Sequence, residues 1–319
     1  MTNSTDIAAT RHVVDVGPIV PELAGQPIAA TVFSPADPSG QIVFCCLPGG
    51  GLSRRYWDLQ VPEDDSYSFA RWMASRGFPV ISVDHAGTGG STLSRDGTPP
   101  LLGHVIAANH AVFSILCNKL QQQWTGTATA PALRRVGVGH SMGAGLTVRQ
   151  QAVHETYDAI CLVGFDTKGL PGVIPPEVTD LLTDEPPDDV LLAQLTVRMF
   201  GSAYPAMSAN VHGTRTVPAP VRLAMEAATT RLLGAGGLLS LLPGNVAIDA
   251  GRIRVPALVL NGEHDSLING RLDRVTRYPG TASFTSHVLP GAGHIHNIAP
   301  TRNLFWENML HWTRNAFPQ

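Results

Sequence analysis

The sequence predicts an α/β protein in which a parallel sheet is covered by helices on both faces. Two observations carry that prediction. Short apolar runs recur along the 319 residues, at 41–47, 79–84, 136–139, 159–165 and 256–262. A strand buried on both faces reads as such a run, because each of its side-chain rows meets a helix layer. Segments with apolar positions near the helical period lie between the runs. That alternation implies right-handed parallel crossovers.

In chain order, residues 12–17 and 28–34 are two candidate opening strands, antiparallel, separated by a Pro/Gly turn region. Residues 41–47 are apolar after Gln41 and run into Pro48-Gly49-Gly50-Gly51. A helix near 66–75 places Phe69, Trp72 and Met73 on one face and stops at Gly77. Residues 79–84 form the next strand and end in the loop from His85 to Ser91. A helix over 101–120 follows from the spacing of Leu102, Val105, Val112, Leu116 and Leu120. The strand 136–139 precedes a helix over 142–156, and the strand 159–165 ends at Asp166.

The rhythm breaks at residue 167. Residues 167–252 contain a Pro-rich acidic loop, 183–189, and apolar helical pieces near 190–200, 219–233 and 236–242. None reads as a strand of the main sheet, and Leu191, Leu192, Leu195, Met199, Leu223, Met225, Leu232 and Leu233 need burial. A helical cap or lid answers that need better than a disordered linker. The core is then 1–166 together with 253–319. Its sheet resumes at 256–262, followed by Glu263-His264-Asp265, and a last strand over 283–289 leads to Pro290-Gly291-Ala292-Gly293-His294. Residues 302–316 close the chain as an amphipathic helix with Leu304, Phe305, Met309 and Trp312 on its apolar face.

Composition narrows the partners. The net charge is −3 with mixed signs and no run of Lys or Arg, which points away from nucleic acid and anionic membranes. Residues 1–11 are polar and lack the apolar region of a signal peptide, and no apolar run approaches the roughly 20 residues of a membrane span. A cytoplasmic location is expected. Cys45, Cys46, Cys117 and Cys161 sit inside apolar runs with no Cys-x-x-Cys pair, and read as small buried hydrophobes. The twelve histidines are scattered, with only His294-x-His296 closely spaced, so no metal site is expected. No dinucleotide fingerprint or P-loop is present, so no cofactor is expected either. The chemistry must come from side chains.

The candidate chemistry centres on Gly139-His140-Ser141-Met142-Gly143, which follows an apolar strand and opens a helix. Such a turn lifts a serine hydroxyl out of the sheet, with the helix N-terminus facing any negative charge that develops there. A serine needs a general base, and the base needs an orienting acid. In open parallel sheets ligands bind outside the carboxyl ends of the strands. Asp265 follows one strand and His294 another, in the order Ser…Asp…His. His296 is an alternative base, although His294, directly after Gly293 at the strand exit, is better placed. Asp166 is an alternative acid. Glu263 reads as a solvated loop carboxylate, and His140 and His264 as residues that hold their turns. Asp84 reads as a structural residue tying its loop to backbone amides. Arg54, Arg55 and Tyr56, just past the glycine loop, are candidates to reach a substrate carboxylate, but a surface role fits them better.

Three stretches together, the elbow at 139–143, Asn261-Gly262-Glu263-His264-Asp265 and Gly291-Ala292-Gly293-His294, resemble the α/β-hydrolase family over nearly the whole chain. Residues 84–91 resemble the family's loop after its fourth strand, with Ala86 where Arg is frequent. The resemblance implies an eight-stranded, mostly parallel sheet with a cap inserted after the sixth strand. It also implies Ser141 as nucleophile, His294 as base and Asp265 as acid. The oxyanion hole would use the amide of Met142 and one from the loop after the strand 41–47. There Pro48 stands where the family often has His, which leaves Gly50 as first choice and Gly51 as second. A serine at the elbow points away from the family's dehalogenases and epoxide hydrolases. The expected activity is hydrolysis of a small-molecule carboxylic ester, lactone or thioester with a hydrophobic acyl or alkyl group. Acyl transfer, amide or C–C hydrolysis, cofactor-free perhydrolysis and a binding or receptor role stay open as alternatives. Oligomeric state leaves no trace in the sequence.

Overall fold

The computed structural model describes residues 7–38, 41–94, 99–125, 132–182, 187–207, 217–265, 267 and 278–317. Residues 1–6 of the polar N-terminus and 183–186 of the acidic loop lie outside them. Eight strands form one sheet in the order β1-β2-β4-β3-β5-β6-β7-β8. They are β1 (Ile7–Val14), β2 (Ile28–Pro35), β3 (Ile42–Leu47), β4 (Val80–Val83), β5 (Arg134–His140), β6 (Ala159–Val163), β7 (Ala257–Gly262) and β8 (Phe284–Leu289). The β1–β2 and β2–β4 pairs are antiparallel, and every other pair is parallel.

The apolar runs are strands for the reason their sequence suggests. Along β3, Val43, Cys45 and Leu47 belong to one apolar cluster, and Phe44 and Cys46 to another on the opposite face. The first cluster takes in Leu102, Val105 and Val112 of α2 (Leu102–Thr125) and Ala144 and Leu146 of α3 (Met142–His154). The second takes in Phe69 and Met73 of α1 (Phe69–Ala74) and Phe305, Trp306 and Met309 of α9 (Arg302–Ala316). Helix α1 begins at Phe69 because Ser68 caps it, its Oγ accepting from the Arg71 amide at 3.1 Å. All four cysteines are buried and unpaired.

The first strand departs from expectation. It occupies Ile7–Val14, not 12–17, and pairs with β2 along its whole length, from Ile7 opposite Pro35 to Val14 opposite Ile28. As an edge strand it is mostly exposed, with Val13 at 74%, so it carries no continuous apolar run. Val16, Val20 and Leu23, just beyond it, are buried core residues in a turn region.

Between β6 and β7 the chain forms α4 (Pro176–Thr179), α5 (Asp189–Phe200), α6 (Ala219–Ala228), α7 (Gly234–Leu241) and α8 (Ala247–Ala250). The helix expected over 219–233 stops at Ala228 because Thr229 forms a β-bridge with Leu52 of the loop after β3. Helix α5 is capped by Asp188, whose Oδ1 accepts from the Leu191 amide at 2.8 Å. Asp189 then reaches the core, accepting from the Gly103 amide at 2.7 Å and from Arg149 at 3.0 Å. Leu192, Leu195, Leu238 and Leu239 join the same apolar cluster as α2 and α3. No described helix is long and apolar enough to cross a membrane.

Because α7 shares the main core, Leu238→Ala is expected to cost about 2–5 kcal/mol in urea denaturation. Leu223→Ala, on α6 and 57% exposed, is expected to stay within about 0.5 kcal/mol of wild type. Equal costs would show that α7 does not contribute to the main core.

Candidate active site

The turn from β5 to α3 is a single residue. Ser141 adopts φ 52° and ψ −119°, a positive-φ conformation that a side-chain-bearing residue holds only under constraint. The constraint is close packing. A Cβ at Gly139 would lie 2.4 Å from the Gly143 carbonyl oxygen, and one at Gly143 would lie 2.5 Å from the carbonyl oxygens of Leu47 and Pro48. The first turn of α3 therefore rests directly on the end of β3. The Ser141 amide donates to the Val163 carbonyl at 2.8 Å, and its carbonyl accepts from the Ala144 amide at 2.9 Å. The Met142 amide is among the first helical N–H groups, which have no partner within a helix.

Two loops at the same end of the sheet bring His294 and Asp265 to the serine. His294 Nε2 lies 2.9 Å from Ser141 Oγ, and His294 Nδ1 lies 2.8 Å from Asp265 Oδ2. With its proton on Nδ1, the imidazole donates to Asp265 and accepts from the serine hydroxyl. The second Asp265 oxygen accepts from the Leu267 amide at 3.0 Å. Burial pushes the Asp265 carboxyl up. The hydrogen bond from His294, the electrostatic influence of the neighbouring His294 and His296 rings, and the Leu267 amide outweigh burial and hold it below the usual range. The two loops are also fastened together. Glu263, read from sequence as merely solvated, accepts from the Gly291 amide at 2.8 Å, and the His264 amide donates to the Ala292 carbonyl at 2.8 Å.

The alternative residues sit elsewhere. Asp166 Oδ1 accepts from the Lys168 amide at 2.8 Å and closes a turn at the wall of the cleft. His296 is fully buried beside the Phe305 ring, and neither of its ring nitrogens has a hydrogen-bond partner among the described residues. His140 Nε2 bonds the His294 carbonyl at 2.9 Å, and its ring lies 4.8 Å from that of Tyr56. Asp84 accepts from the amides of Gly90 (2.7 Å) and Arg54 (2.5 Å) and pairs with the Arg54 guanidinium. Arg54 and Tyr56 are thus not surface residues. Arg54 is held by a buried carboxylate and Tyr56 is fully buried. No local signal reveals either, since both depend on partners distant in sequence.

The glycine loop runs alongside Met142. A Cβ on Gly50 would meet Leu232 Cδ1 at 2.8 Å and lie 3.8 Å from Met142 Cβ, and one on Gly51 would meet the Met207 side chain at 2.8 Å. The Gly51 carbonyl accepts from the Thr230 amide at 2.8 Å, and the Ser53 amide donates to Ala228 at 2.7 Å. A cavity of about 60 Å³ opens beside Ser141 and His294, walled by Phe165, Asp166, Leu170, Ser240, Leu241 and Leu267.

The sequence model of the Alpha/beta hydrolase family matches residues 42–304. This chain belongs to that family. The hydrolase has solved structural relatives of the same fold. A monoacylglycerol lipase from Paleococcus ferrophilus has a TM-score of 0.60 at 17% identity, covering 91% of this chain and 99% of that one. A thermophilic esterase from Thermogutta terrifontis has a TM-score of 0.57 at 16% identity, covering 97% and 99%. A thioesterase domain from the curacin biosynthetic pathway has a TM-score of 0.58 at 16% identity, covering 95% and 99%. No curated protein gives a significant match to the sequence.

His296 gives this hydrolase a defined acid sensitivity. Burial first, then the charge of His294, lowers its pKa from 6.5 to about 4 despite the opposing Asp265 carboxylate. The unfolded chain binds this proton below pH 6.5 and the folded protein only near pH 4. Stability from this residue is therefore complete above about pH 6.5 and lost as the pH falls toward 4, by about 3 kcal/mol. Urea midpoints across that range are expected to fall less steeply for His296→Leu than for wild type. An unchanged slope would assign the acid loss to other buried groups, such as His85, whose pKa burial also lowers.

Proposed function

We propose that this hydrolase cleaves a carboxylic ester, or a lactone or thioester of like carbonyl chemistry, through an acyl-enzyme on Ser141. The observation that carries the reading is the unbroken hydrogen-bonded chain from Ser141 Oγ through His294 to Asp265, with distances of 2.9 and 2.8 Å. His294 takes the hydroxyl proton as Ser141 attacks the carbonyl carbon. Asp265, which bonds Nδ1, holds the ring orientation and stabilises the imidazolium that forms. The developing oxyanion is met by the Met142 amide at the α3 N-terminus and by the Gly50 amide. Gly50 is preferred to Gly51 because it lies beside Met142, while Gly51 is turned against Met207. Collapse expels the alcohol or thiol, protonated by His294. A water deprotonated by the same histidine then releases the acid.

The cavity favours a particular kind of substrate. Phe165, Leu170, Leu241 and Leu267 supply an apolar wall, and about 60 Å³ suits a short acyl group better than a long chain. Two of those wall residues, Leu170 and Leu241, come from the insertion between β6 and β7, so we assign residues 167–252 the part of a lid that shapes the acyl pocket.

A fluorophosphonate probe is expected to label the wild type and to leave Ser141→Ala unlabelled; labelling of both alike would reject Ser141 as nucleophile. Asp265→Asn is expected to lose about three to four orders of magnitude in kcat, with Asp166→Asn near wild type. The opposite pattern would move the acid to the exit of β6. Among p-nitrophenyl esters, kcat/KM is expected to be highest from acetate to butyrate and to fall steeply toward palmitate. A rise toward palmitate would contradict the short acyl pocket.

A further inference from the structure

A second cavity, of about 350 Å³, is several times larger than the one beside Ser141, and none of Ser141, Asp265 or His294 lines it. Its floor is the antiparallel end of the sheet. The strand register sets Arg11 opposite Thr31 and Thr31 opposite Ser82, so one row of side chains crosses β1, β2 and β4. Its roof comes from Arg54, Arg55 and Asp58 after the glycine loop, Arg71 of α1, and Ala224 and Ala227 of α6.

Four guanidiniums therefore surround one space, from parts of the chain that are far apart in sequence. Two are neutralised. Arg54 pairs with buried Asp84 and donates from Nε to Thr31 Oγ1 at 3.0 Å. Arg71 pairs with Asp58 at 3.0 Å, and that same carboxylate oxygen also accepts from Ser68 at 2.6 Å and Gln60 at 2.8 Å. Arg11 and Arg55 form no ion pair among the described residues, and Arg55 is steadied by the Ala227 carbonyl at 3.3 Å. Below them Ser82 is fully buried at the cavity wall, and its hydroxyl has no hydrogen-bond partner among the described residues. A buried polar atom without a partner is costly in a finished core, and Ser82 stands in the same cross-strand row as Thr31, whose Oγ1 meets the cavity's Arg54.

We propose that this cavity is a binding site for a small phosphate monoester, separate from the hydrolytic site. A dianionic phosphate matches the two uncompensated guanidiniums, whereas a single carboxylate would leave one of them unpaired. Guanidinium forks suit phosphate oxygens, and two of them on one dianion can each bond it through paired N–H groups. Ser82 donates to a third oxygen. Phe33, Leu59 and Ala224 offer the organic part of the ligand an apolar wall, which inorganic phosphate would leave unused.

Calorimetry on the whole chain, at constant ionic strength set with chloride, tests the site with inorganic phosphate, phenyl phosphate and benzoate. Phenyl phosphate is expected to bind saturably with one-to-one stoichiometry, more tightly than inorganic phosphate and more tightly than benzoate. Arg11→Gln with Arg55→Gln, both at exposed positions, is expected to weaken phenyl phosphate by at least about tenfold. The same double variant is expected to keep wild-type turnover of p-nitrophenyl butyrate, which separates this site from the hydrolytic one. Ser82→Ala is expected to weaken phenyl phosphate by a smaller factor. Absence of saturable phenyl phosphate binding to the wild type, undiminished binding by the double variant, or benzoate binding as tightly as phenyl phosphate would each overturn the proposal.

Discussion

The contact on which the rest depends is the seating of the first turn of α3 on the last carbonyls of β3. Glycine at 139 and 143 lets helix and strand backbones approach to distances that no side chain would permit. That approach leaves Ser141 no ordinary conformation to occupy. Its positive φ stores strain of order 1–3 kcal/mol, which the surrounding core must offset. Ser141 thereby stands at the N-terminus of α3 with its Oγ 2.9 Å from His294 Nε2. The same contact sets the spacing between Met142 and the glycine loop, since Leu47 and Pro48 both carry that loop and support the helix.

The electrostatics around the serine follow from what is buried and in which charge state. Asp265 is inaccessible, yet it stays ionised because each of its oxygens has a donor. His296, equally inaccessible and without such partners, stays neutral at physiological pH. The contrast matters for the imidazolium that the proposed mechanism forms on His294. A charged His296 would repel it and weaken its attraction to Asp265, whereas a neutral ring leaves that pairing undivided.

Legibility in the sequence followed burial on two faces. β3 through β7 announce themselves as apolar runs because each lies between two helix layers. β1 does not, since an edge strand with one exposed face leaves no continuous run, and its true extent comes from pairing with β2. Ser141, His294 and Asp265 were marked by positions at strand exits, which chain order alone displays. Arg54 and Tyr56 look like surface residues in the sequence because their partners, Asp84 and His140, lie far along the chain, His140 more than eighty residues from Tyr56. Arg11, Arg54, Arg55 and Arg71 form no basic run, so a search for charge clusters along the sequence passes over them. Only the strand register and the packing of α1 and α6 collect them.

The main-chain seam joining Gly51–Ser53 to Ala228–Thr230 has a consequence for how this scaffold can diversify. The hydrogen bonds and the Leu52–Thr229 bridge there are made by backbone atoms, so side-chain drift at Leu52 or Thr229 leaves them intact. Insertions or deletions do not. Lengthening the stretch between α6 and α7 by a residue would shift the register of the seam and drag the glycine loop with it. Transplanting this helical segment into a relative would thus demand a matching β-strip in the recipient, and chimaeras cut inside the seam would be defective at birth.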